Sequence, residues 1–460
     1  MGYDLVVIGG GPGGYVTAIR AAQLGKKVAL VEKDSIGGTC LNRGCIPTKA
    51  LIASTSVLEN IINAAEFGLH VSDYSIDFEK IMARKNAVVK QMLAGVSYLI
   101  KKNKIDLFAG AAKILNQREV SITKQDGSVG NIEGNNLVIA TGSEPALISA
   151  LGYNGRTVIT SNEILDIKSV PESLLIIGGG VIGCEFATVF AGLGSKVTIL
   201  EAMPSILPMV DNELTRRFTL ILKKRGVAVK TKAMIVSVKE GADGVEAILE
   251  NGDSYKAEKI LISIGRTFNT KDLGLDEVGV ELGPKGEILI NDYLETNIPG
   301  IYAIGDVTNK IQLAHVASAQ GIVLVENLYD GKKERMDYSA VPSCIFTSPE
   351  IASVGITEEQ AKQQGLAINV GKFPFMASGK AVCLGETDGM VKFITDKNSD
   401  KILGVHIFGP HATDLIAEAT LAINMDITAG QLAKTIHAHP TLAETLMEAA
   451  EGVHGKSIHL

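Results

Sequence analysis

At 460 residues the chain is too long for one compact core, and about 100–200 residues per domain predicts three or so domains. Hydrophobic residues make up 46% and charged residues 21%, the balance of an ordinary globular protein. A net charge of −7 with no run of Lys/Arg argues against nucleic acid or an anionic membrane as partner.

The N-terminus, Met1-Gly2-Tyr3-Asp4-Leu5, lacks a basic start and a cleavage site, so no signal peptide is expected. Asp4 to Ile8 is a short apolar run ending in glycines, as a buried parallel strand does. Gly9, Gly11 and Gly14 fit G-x-G-x-x-G. A helix follows through Ala18, Ala21, Ala22 and Leu24, with Gly25 as its stop. Lys27 to Val31 reads as a second strand, ending in Glu32. Such glycines let the backbone approach a pyrophosphate at a helix N-terminus, where free N–H groups and the helix dipole favour negative charge. Glu32 is then placed to hydrogen-bond a ribose diol.

Next comes Gly37-Gly38-Thr39-Cys40-Leu41-Asn42-Arg43-Gly44-Cys45-Ile46-Pro47-Thr48-Lys49, and then an apolar helical run from Lys49 to Ala65. Pro47 suits a first helical turn, which sets Cys45 near a helix N-terminus, where a thiolate is stabilised. A metal site or a pair of inert buried cysteines are the alternatives. A metal needs about four ligands, and His70 is the nearest other donor, so none is predicted. The five cysteines, Cys40, Cys45, Cys184, Cys344 and Cys383, are too few and too odd for a secreted disulfide framework. Together these points favour one redox disulfide in a reducing compartment. Ile76 to Lys102 reads as helix. Strand-like segments follow to Asn136, and Leu137 to Gly142 is a strand closing this first unit on Ala140-Thr141-Gly142.

The pattern then repeats. Ser173 to Glu201 matches Asp4 to Glu32 at a constant offset of 169, pairing Gly9 with Gly178, Gly11 with Gly180, Gly14 with Gly183 and Glu32 with Glu201. An internal duplication predicts two dinucleotide sites on two similar domains. It also explains Leu174 to Gly194, which is apolar enough to be mistaken for a membrane span. The second copy closes on Ile260 to Gly265. From acid to closing glycine is 110 residues in the first copy and 64 in the second, so the cysteine helix lies in a 46-residue excess of the first. Glu201 pairs with ribose hydroxyls and repels a 2′-phosphate, which favours NAD over NADP; a solvated surface charge is the alternative.

Ile298 to Asp306 reads as an apolar strand ending in Gly305-Asp306, with an acid where open α/β sheets bind ligands. From Val341 a separate α+β domain is expected, with strands at Cys344–Thr347, Gly389–Thr395 and Ile402–Phe408. Helices are expected at Ala412–Ile423 and Thr441–Ala450. In His437-Ala438-His439-Pro440-Thr441-Leu442-Ala443-Glu444, Pro440 is expected to begin a helix. Glu444 then reaches back to fix the His439 tautomer, giving a general base near neutral pH. Thr441 and Glu444 fit a capping box equally well.

With these residues assembled, the chain resembles the flavoprotein disulfide reductases over essentially its whole length, and within them the dihydrolipoamide dehydrogenase branch. The resemblance rests on Gly37 to Lys49, both glycine fingerprints, Ala140 to Gly142, Gly300 to Asp306, Leu313-Ala314-His315, Phe346 to Gly355 and His437 to Glu444. It implies FAD at the first site, with Glu32 on the adenosine ribose and Asp306 on the ribityl chain, and NAD at the second. It implies that Lys49 lies near flavin N5 and pairs with Glu185. Cys45 faces the flavin, Cys40 exchanges with substrate, and His439, partnered by Glu444, is the acid–base group. In this family that histidine comes from the other subunit, which implies a homodimer. The substrate implied is a lipoyl-carrying protein of a 2-oxoacid dehydrogenase complex or of the glycine cleavage system, in the cytoplasm. Phe268 stands where the family usually has Pro, and Gln320 where many relatives have Glu, so no role is expected of Gln320.

The fold expected is therefore α/β: two tandem Rossmann-like dinucleotide-binding domains and a C-terminal α+β dimerisation domain. The boundaries expected are 1–145 for FAD with the redox helix, 146–268 for NAD, 269–338 for a segment completing the FAD side, and 339–460 for the interface. Glutathione-type reductases use NADPH, which Glu201 disfavours. Mercuric reductases usually end in paired cysteines, where this sequence has Ser457-Ile458-His459-Leu460. A non-catalytic flavin scaffold gives no reason to keep Cys40, Cys45, His439 and Glu444 together.

Overall fold

The computed structural model describes residues 2–241 and 244–460. The first unit runs β1 (Tyr3–Ile8), α1 (Pro12–Gln23), β2 (Val28–Glu32), α2 (Gly38–Arg43), α3 (Cys45–Ile62), α4 (Phe78–Lys102), β3 (Asp106–Ala109), β4 (Ala111–Ile114), β5 (Glu119–Thr123), β6 (Val129–Ile139) and β7 (Ser143–Pro145). The second runs β8 (Val158–Ile159), β9 (Ser173–Ile177), α5 (Val181–Gly192), β10 (Lys196–Glu201), α6 (Asn212–Lys224), β11 (Ala228–Thr231), β12 (Ile235–Gly241), β13 (Gly244–Leu249), β14 (Ser254–Ala257), β15 (Lys259–Ile262) and β16 (Arg266–Phe268). The remainder is α7 (Leu275–Val278), β17 (Ile301–Ala303), α8 (Ala314–Tyr329), β18 (Ser343–Ile345), β19 (Glu350–Gly355), α9 (Glu358–Gln363), β20 (Ile368–Pro374), α10 (Gly379–Leu384), β21 (Met390–Asp396), β22 (Ile402–Gly409), α11 (Ala412–Asn424), α12 (Ala429–Ala433) and α13 (Glu444–Gly452).

The duplication extends to topology. Parallel strands lie in the order β3-β2-β1-β6 in the first unit and β11-β10-β9-β15 in the second. Each sheet takes a fifth parallel strand from outside the repeat: β17 joins β6, and β8 joins β15. Each unit also carries an antiparallel meander, β4-β5-β6 in one and β12-β13-β14 in the other. Strands covered on both faces are buried nearly throughout, which is why β1 and β9 read as continuous apolar runs rather than alternating ones. Separate hydrophobic clusters line the two faces of the first sheet. The C-terminal module is an antiparallel sheet, β18-β19-β22-β21-β20, packed against α11 and α13. Among the described residues no helix is long and apolar enough to cross a membrane. Leu174 to Gly194 is β9 and α5.

Three expectations need correction. The helix expected from Lys49 to Ala65 begins earlier, at Cys45, and the redox stretch before it is itself helical. The two helices, α2 and α3, are broken at Gly44, where a Cβ would sit 2.9 Å from the Thr39 carbonyl oxygen. The strand at Ile298–Asp306 shrinks to β17, and Asp306 lies in a 3-10 turn, Gly305–Thr308. Pro440 does not begin a helix, since α13 starts at Glu444. Thr441 Oγ1 donates to the Ala438 carbonyl (2.8 Å) and Thr441 N–H to Glu444 Oε2 (2.8 Å), so the backbone closes a turn there instead.

A buried charge cluster fastens the second unit to the C-terminal sheet. Asp211, the N-cap of α6, is fully buried and meets Lys392 Nζ of β21 at 2.8 Å; Glu358 of α9 meets the same nitrogen at 2.6 Å. Burial opposes charge on Asp211, but Lys392 holds that carboxyl below its ordinary value. Lys362, with Lys392, holds Glu358 down at about 2. Truncating Lys392 leaves buried Asp211 without its cation, which costs about 3–5 kcal/mol. Carboxyls depressed in the folded state stabilise it above their unfolded values near pH 4 and lose that contribution as they protonate. Lys392→Met is therefore expected to lower the urea midpoint clearly at pH 7, with the gap to wild type closing between about pH 4 and pH 2.

Candidate active site

The two glycine loops are geometrically equivalent. Gly9 (φ +107°) and Gly178 (φ +103°) occupy backbone space that L residues rarely adopt, and a Cβ on either would strike the carbonyl oxygen of Ala140 or Ser263. Gly14 and Gly183 pack α1 and α5 against those same turns. Gly11 and Gly180 are the N-caps, without a side-chain cap, so the first N–H groups of both helices face the cleft unclaimed. Glu32 accepts from Gly10 N (2.6 Å) and Asp34 N (2.8 Å). Glu201 accepts from Gly179 N and Met203 N, each at 2.7 Å. One cleft of about 1420 Å³ contains both loops and both cysteines of the redox stretch. A drug-sized ligand fills roughly 300–1000 Å³. The open helix starts, the acids at the strand ends and this volume fit two dinucleotides.

The redox stretch lies directly on the first loop. Gly37 (φ +92°) and Gly38 (φ +55°) turn the chain in the left-handed region, and a Cβ on Gly38 would sit 2.7 Å from Gly11 Cα. Asn42 Nδ2 closes the turn onto the carbonyls of Ile36 (3.1 Å) and Gly38 (2.9 Å). Cys40 is carried on α2, half-buried, and Cys45 is the first residue of α3, exposed to the cleft; both are free thiols. A hydrogen bond from Cys40 pushes the Cys45 thiol down to about 7, helped by the charge of Lys49. The same bond, with burial, raises Cys40 far above its usual value. Cys45 therefore carries the negative charge and Cys40 keeps the proton.

Lys49, one turn along α3, meets Glu185 of α5 at 2.8 and 2.9 Å, the pairing that the resemblance implies. Glu185 is only 4% exposed and also accepts from Phe346 N at 3.0 Å, while Lys49 Nζ lies 4.4 Å above the Phe346 ring. Across the cleft, Thr141 Oγ1 donates to the Asn269 carbonyl (2.7 Å), Gly142 and Gly265 both have positive φ, and Asp306 accepts from Ser143 Oγ (2.5 Å). Ser143, Arg266 and Phe346 are site residues that sequence reasoning missed. Ser143 and Arg266 directly follow the two closing glycines, and that adjacency was the available signal. Gln320 holds the Asp306 turn, accepting from Gly305 N at 2.7 Å, a structural role where none was expected.

His439 does not join this group. It lies outside the cleft with its side chain 79% exposed, and its Nδ1 meets Glu444 Oε1 at 2.9 Å. Burial works against the Glu444 charge, but Thr441 N–H and His439 hold its carboxyl below the ordinary value. Half of the capping box is thus present, and the same carboxylate orients the imidazole. His437 faces inward instead, its Nε2 on Glu418 Oε1 at 2.8 Å. Among the described residues no group of His, Cys, Asp and Glu could hold a metal ion.

Residues 3–321 match the family described as pyridine nucleotide-disulphide oxidoreductase, and residues 341–450 match its dimerisation domain. The chain is 45% identical to a dihydrolipoyl dehydrogenase of Bacillus subtilis, covering 99% of each. It is 42% identical to the mitochondrial dihydrolipoyl dehydrogenase 2 of Arabidopsis thaliana, covering 99% of this chain and 91% of the other. Its structure resembles LpdA from Mycobacterium tuberculosis, with TM-score 0.92, 28% identity, and 97% and 99% of the two chains covered. It also resembles the HOCl-induced flavoprotein disulfide reductase RclA from Escherichia coli, with TM-score 0.89, 29% identity, and 98% and 99% covered.

Because Lys49 lowers the Cys45 thiol and Glu185 opposes it, Lys49→Met should move that thiol upward. The pH profile for inactivation of the reduced protein by iodoacetamide, near 7 in wild type, is expected to shift up by about one unit or more. An unmoved profile would show that the ammonium does not act on the thiolate.

Proposed function

The chain belongs to the pyridine nucleotide-disulphide oxidoreductase family, and on that premise we propose that it is a dihydrolipoyl dehydrogenase, oxidising protein-bound dihydrolipoyl groups with NAD+. The observation that carries the reading is the unequal thiol pair, Cys40 and Cys45, on the rim of the first glycine loop and opening into a cleft shared with the second.

The exchange chemistry follows from that inequality. His439 takes a proton from the dihydrolipoyl dithiol, and the thiolate attacks the Cys40 sulfur of the Cys40–Cys45 disulfide. The S–S bond breaks, and Cys45 departs as the thiolate, because the sulfur with the lower pKa leaves faster. The second substrate thiol then attacks the first substrate sulfur, its proton passing toward the departing Cys40. This closes the lipoyl disulfide and frees Cys40, which takes up a proton and donates it toward Cys45. Lys49 stays beside the Cys45 charge throughout. FAD and NAD+, when bound, would supply the redox chemistry that carries the electron pair from the cysteines out as hydride.

We assign FAD to the first unit, through Gly9, Gly11, Gly14, Glu32, Lys49, Thr141, Gly142 and Asp306. NAD goes to the second, through Gly178, Gly180, Gly183, Glu201 and Gly265, with Glu185 of the same unit pairing Lys49. The doubled loop geometry supports both, and an acid rather than a cation at position 201 supports NAD over NADP. We divide the chain at 1–145, 146–268, 269–338 and 339–460, since β17 brings the third segment back onto the first sheet. The dimerisation-domain match supports a homodimer. The exposure of His439, away from its own cleft, supports its service to Cys40 of a second protomer. We place the activity in the cytoplasm, which keeps Cys184, Cys344 and Cys383 reduced, and its substrate on the lipoyl carrier of a 2-oxoacid dehydrogenase complex or of the glycine cleavage system.

NADH-dependent reduction of lipoamide should be robust and that of glutathione disulfide negligible; the reverse would overturn the reading. His439→Gln is expected to cut dihydrolipoamide oxidation by about 10²–10⁴-fold while sparing NADH oxidation by an artificial acceptor. Equal losses in both assays would remove His439 from the exchange step.

A further inference from the structure

The two repeats meet through their closing strands. Counted from the closing glycines, Ser143 corresponds to Arg266, Glu144 to Thr267 and Pro145 to Phe268. Strands β7 and β16 pair antiparallel with Ser143 opposite Phe268, Glu144 opposite Thr267 and Pro145 opposite Arg266. The two outer pairs exchange under the repeat and the Glu144–Thr267 pair maps onto itself, so the seam has a local two-fold between Glu144 and Thr267. One residue breaks the symmetry. Arg266 reaches back across the seam, while its counterpart, Ser143, is too short to reach forward.

The Arg266 guanidinium donates twice to one residue, Nε to Ser143 Oγ and Nη2 to the Ser143 carbonyl oxygen, each at 2.6 Å. Ser143 is buried, and its hydroxyl proton goes to Asp306 Oδ2 at 2.5 Å. Arg266 Nε lies 3.7 Å from that same carboxylate oxygen, with the guanidinium 14% exposed and Asp306 25% exposed. Every hydrogen in the chain is assigned by chemistry. Guanidinium only donates, carboxylate only accepts, and the hydroxyl must do one of each. A fork on both oxygens of Ser143 leaves that hydroxyl a single orientation. Asp306, which lines the cleft, is thereby held through one of its two oxygens.

We propose that Arg266 is a positioning residue, contributed by the NAD unit, that orients Asp306 through Ser143 and so sets the FAD site of the neighbouring unit. The proposal rests on the assignment of Asp306 to FAD. In a symmetric duplication each unit would build its own ligand site; here the second unit completes the polar end of the first. Retention of FAD then depends on a side chain from the domain that binds the other cofactor.

The test is FAD affinity of the apoprotein, titrated by quenching of flavin fluorescence, alongside NADH affinity of each refilled holoenzyme. Arg266→Met and Ser143→Ala should each weaken FAD about tenfold, and the double variant should be no weaker than either single, because both break one relay. Arg266→Lys, which keeps the charge without the fork, should fall between wild type and Arg266→Met. NADH affinity should stay within about twofold throughout. Additive losses, or a loss confined to NADH, would overturn the proposal, as would unchanged FAD affinity in a folded Arg266→Lys protein. Asp306→Asn separates the two ideas. If it leaves FAD affinity intact, the assignment of Asp306 fails; if it weakens FAD while Arg266→Met does not, only the relay fails.

Discussion

The arrangement depends on one ion pair. Glu185 is buried, and a buried carboxylate is costly unless it is paired and hydrogen-bonded. Lys49 supplies the pair and Phe346 N–H the hydrogen bond. These three residues belong to different parts of the chain: Lys49 to the helix that begins at Cys45, Glu185 to the helix that begins at the second glycine loop, and Phe346 to the C-terminal module. Three modules therefore converge on one carboxylate, within reach of the thiolate. The two charges act on Cys45 in opposite directions. With the Cys40 hydrogen bond they leave it near neutrality, where a thiol both leaves and attacks readily.

Duplication explains how such a site arises on a fold that otherwise only binds dinucleotides. Both units present a loop, a helix start and an acid to a common cleft, which is the scaffold for passing electrons between two bound groups. The two cysteines that make it a disulfide enzyme lie in the excess residues of the first copy. There the turn at Gly37 and Gly38 lays the cysteines on the first loop because no Cβ intervenes between Gly38 and Gly11. The second copy has Ile206 and Leu207 in the matching region, and Leu207 N–H returns to the Gly179 carbonyl (2.8 Å) much as Gly37 N–H returns to that of Gly10 (2.8 Å). A shared return contact was kept while the chain beyond it diverged.

Much of this was legible in the residues because the relevant physics is local. Glycine spacing encodes close backbone approach, an acid at a strand end encodes a ribose contact, and a constant offset of 169 encodes repetition. Helix α2 was not legible, since a stretch as rich in glycine as Gly37 to Gly44 reads as a turn, and the tight contact of Gly44 with the Thr39 carbonyl shows only in three dimensions. Arg266 was missed for a different reason. Its partners lie 123 and 40 positions away, and only the shared place after a closing glycine ties Arg266 to Ser143. Pro440 misled because a proline before an amphipathic run usually marks a first turn, whereas Thr441 spends its hydrogen bonds on Ala438 and Glu444.

On the proposed function, Cys40 and Cys45 alone exchange electrons with the substrate dithiol. Oxidised enzyme, mixed anaerobically with dihydrolipoamide and no NAD+, can be quenched with a thiol-reactive mass tag and mapped residue by residue. Cys40 and Cys45 should go from untagged to tagged within one turnover, while tagging of Cys184, Cys344 and Cys383 stays at its starting level. Equal tagging of Cys40 and Cys45 before and after substrate, or a change at another cysteine in their place, would contradict the account.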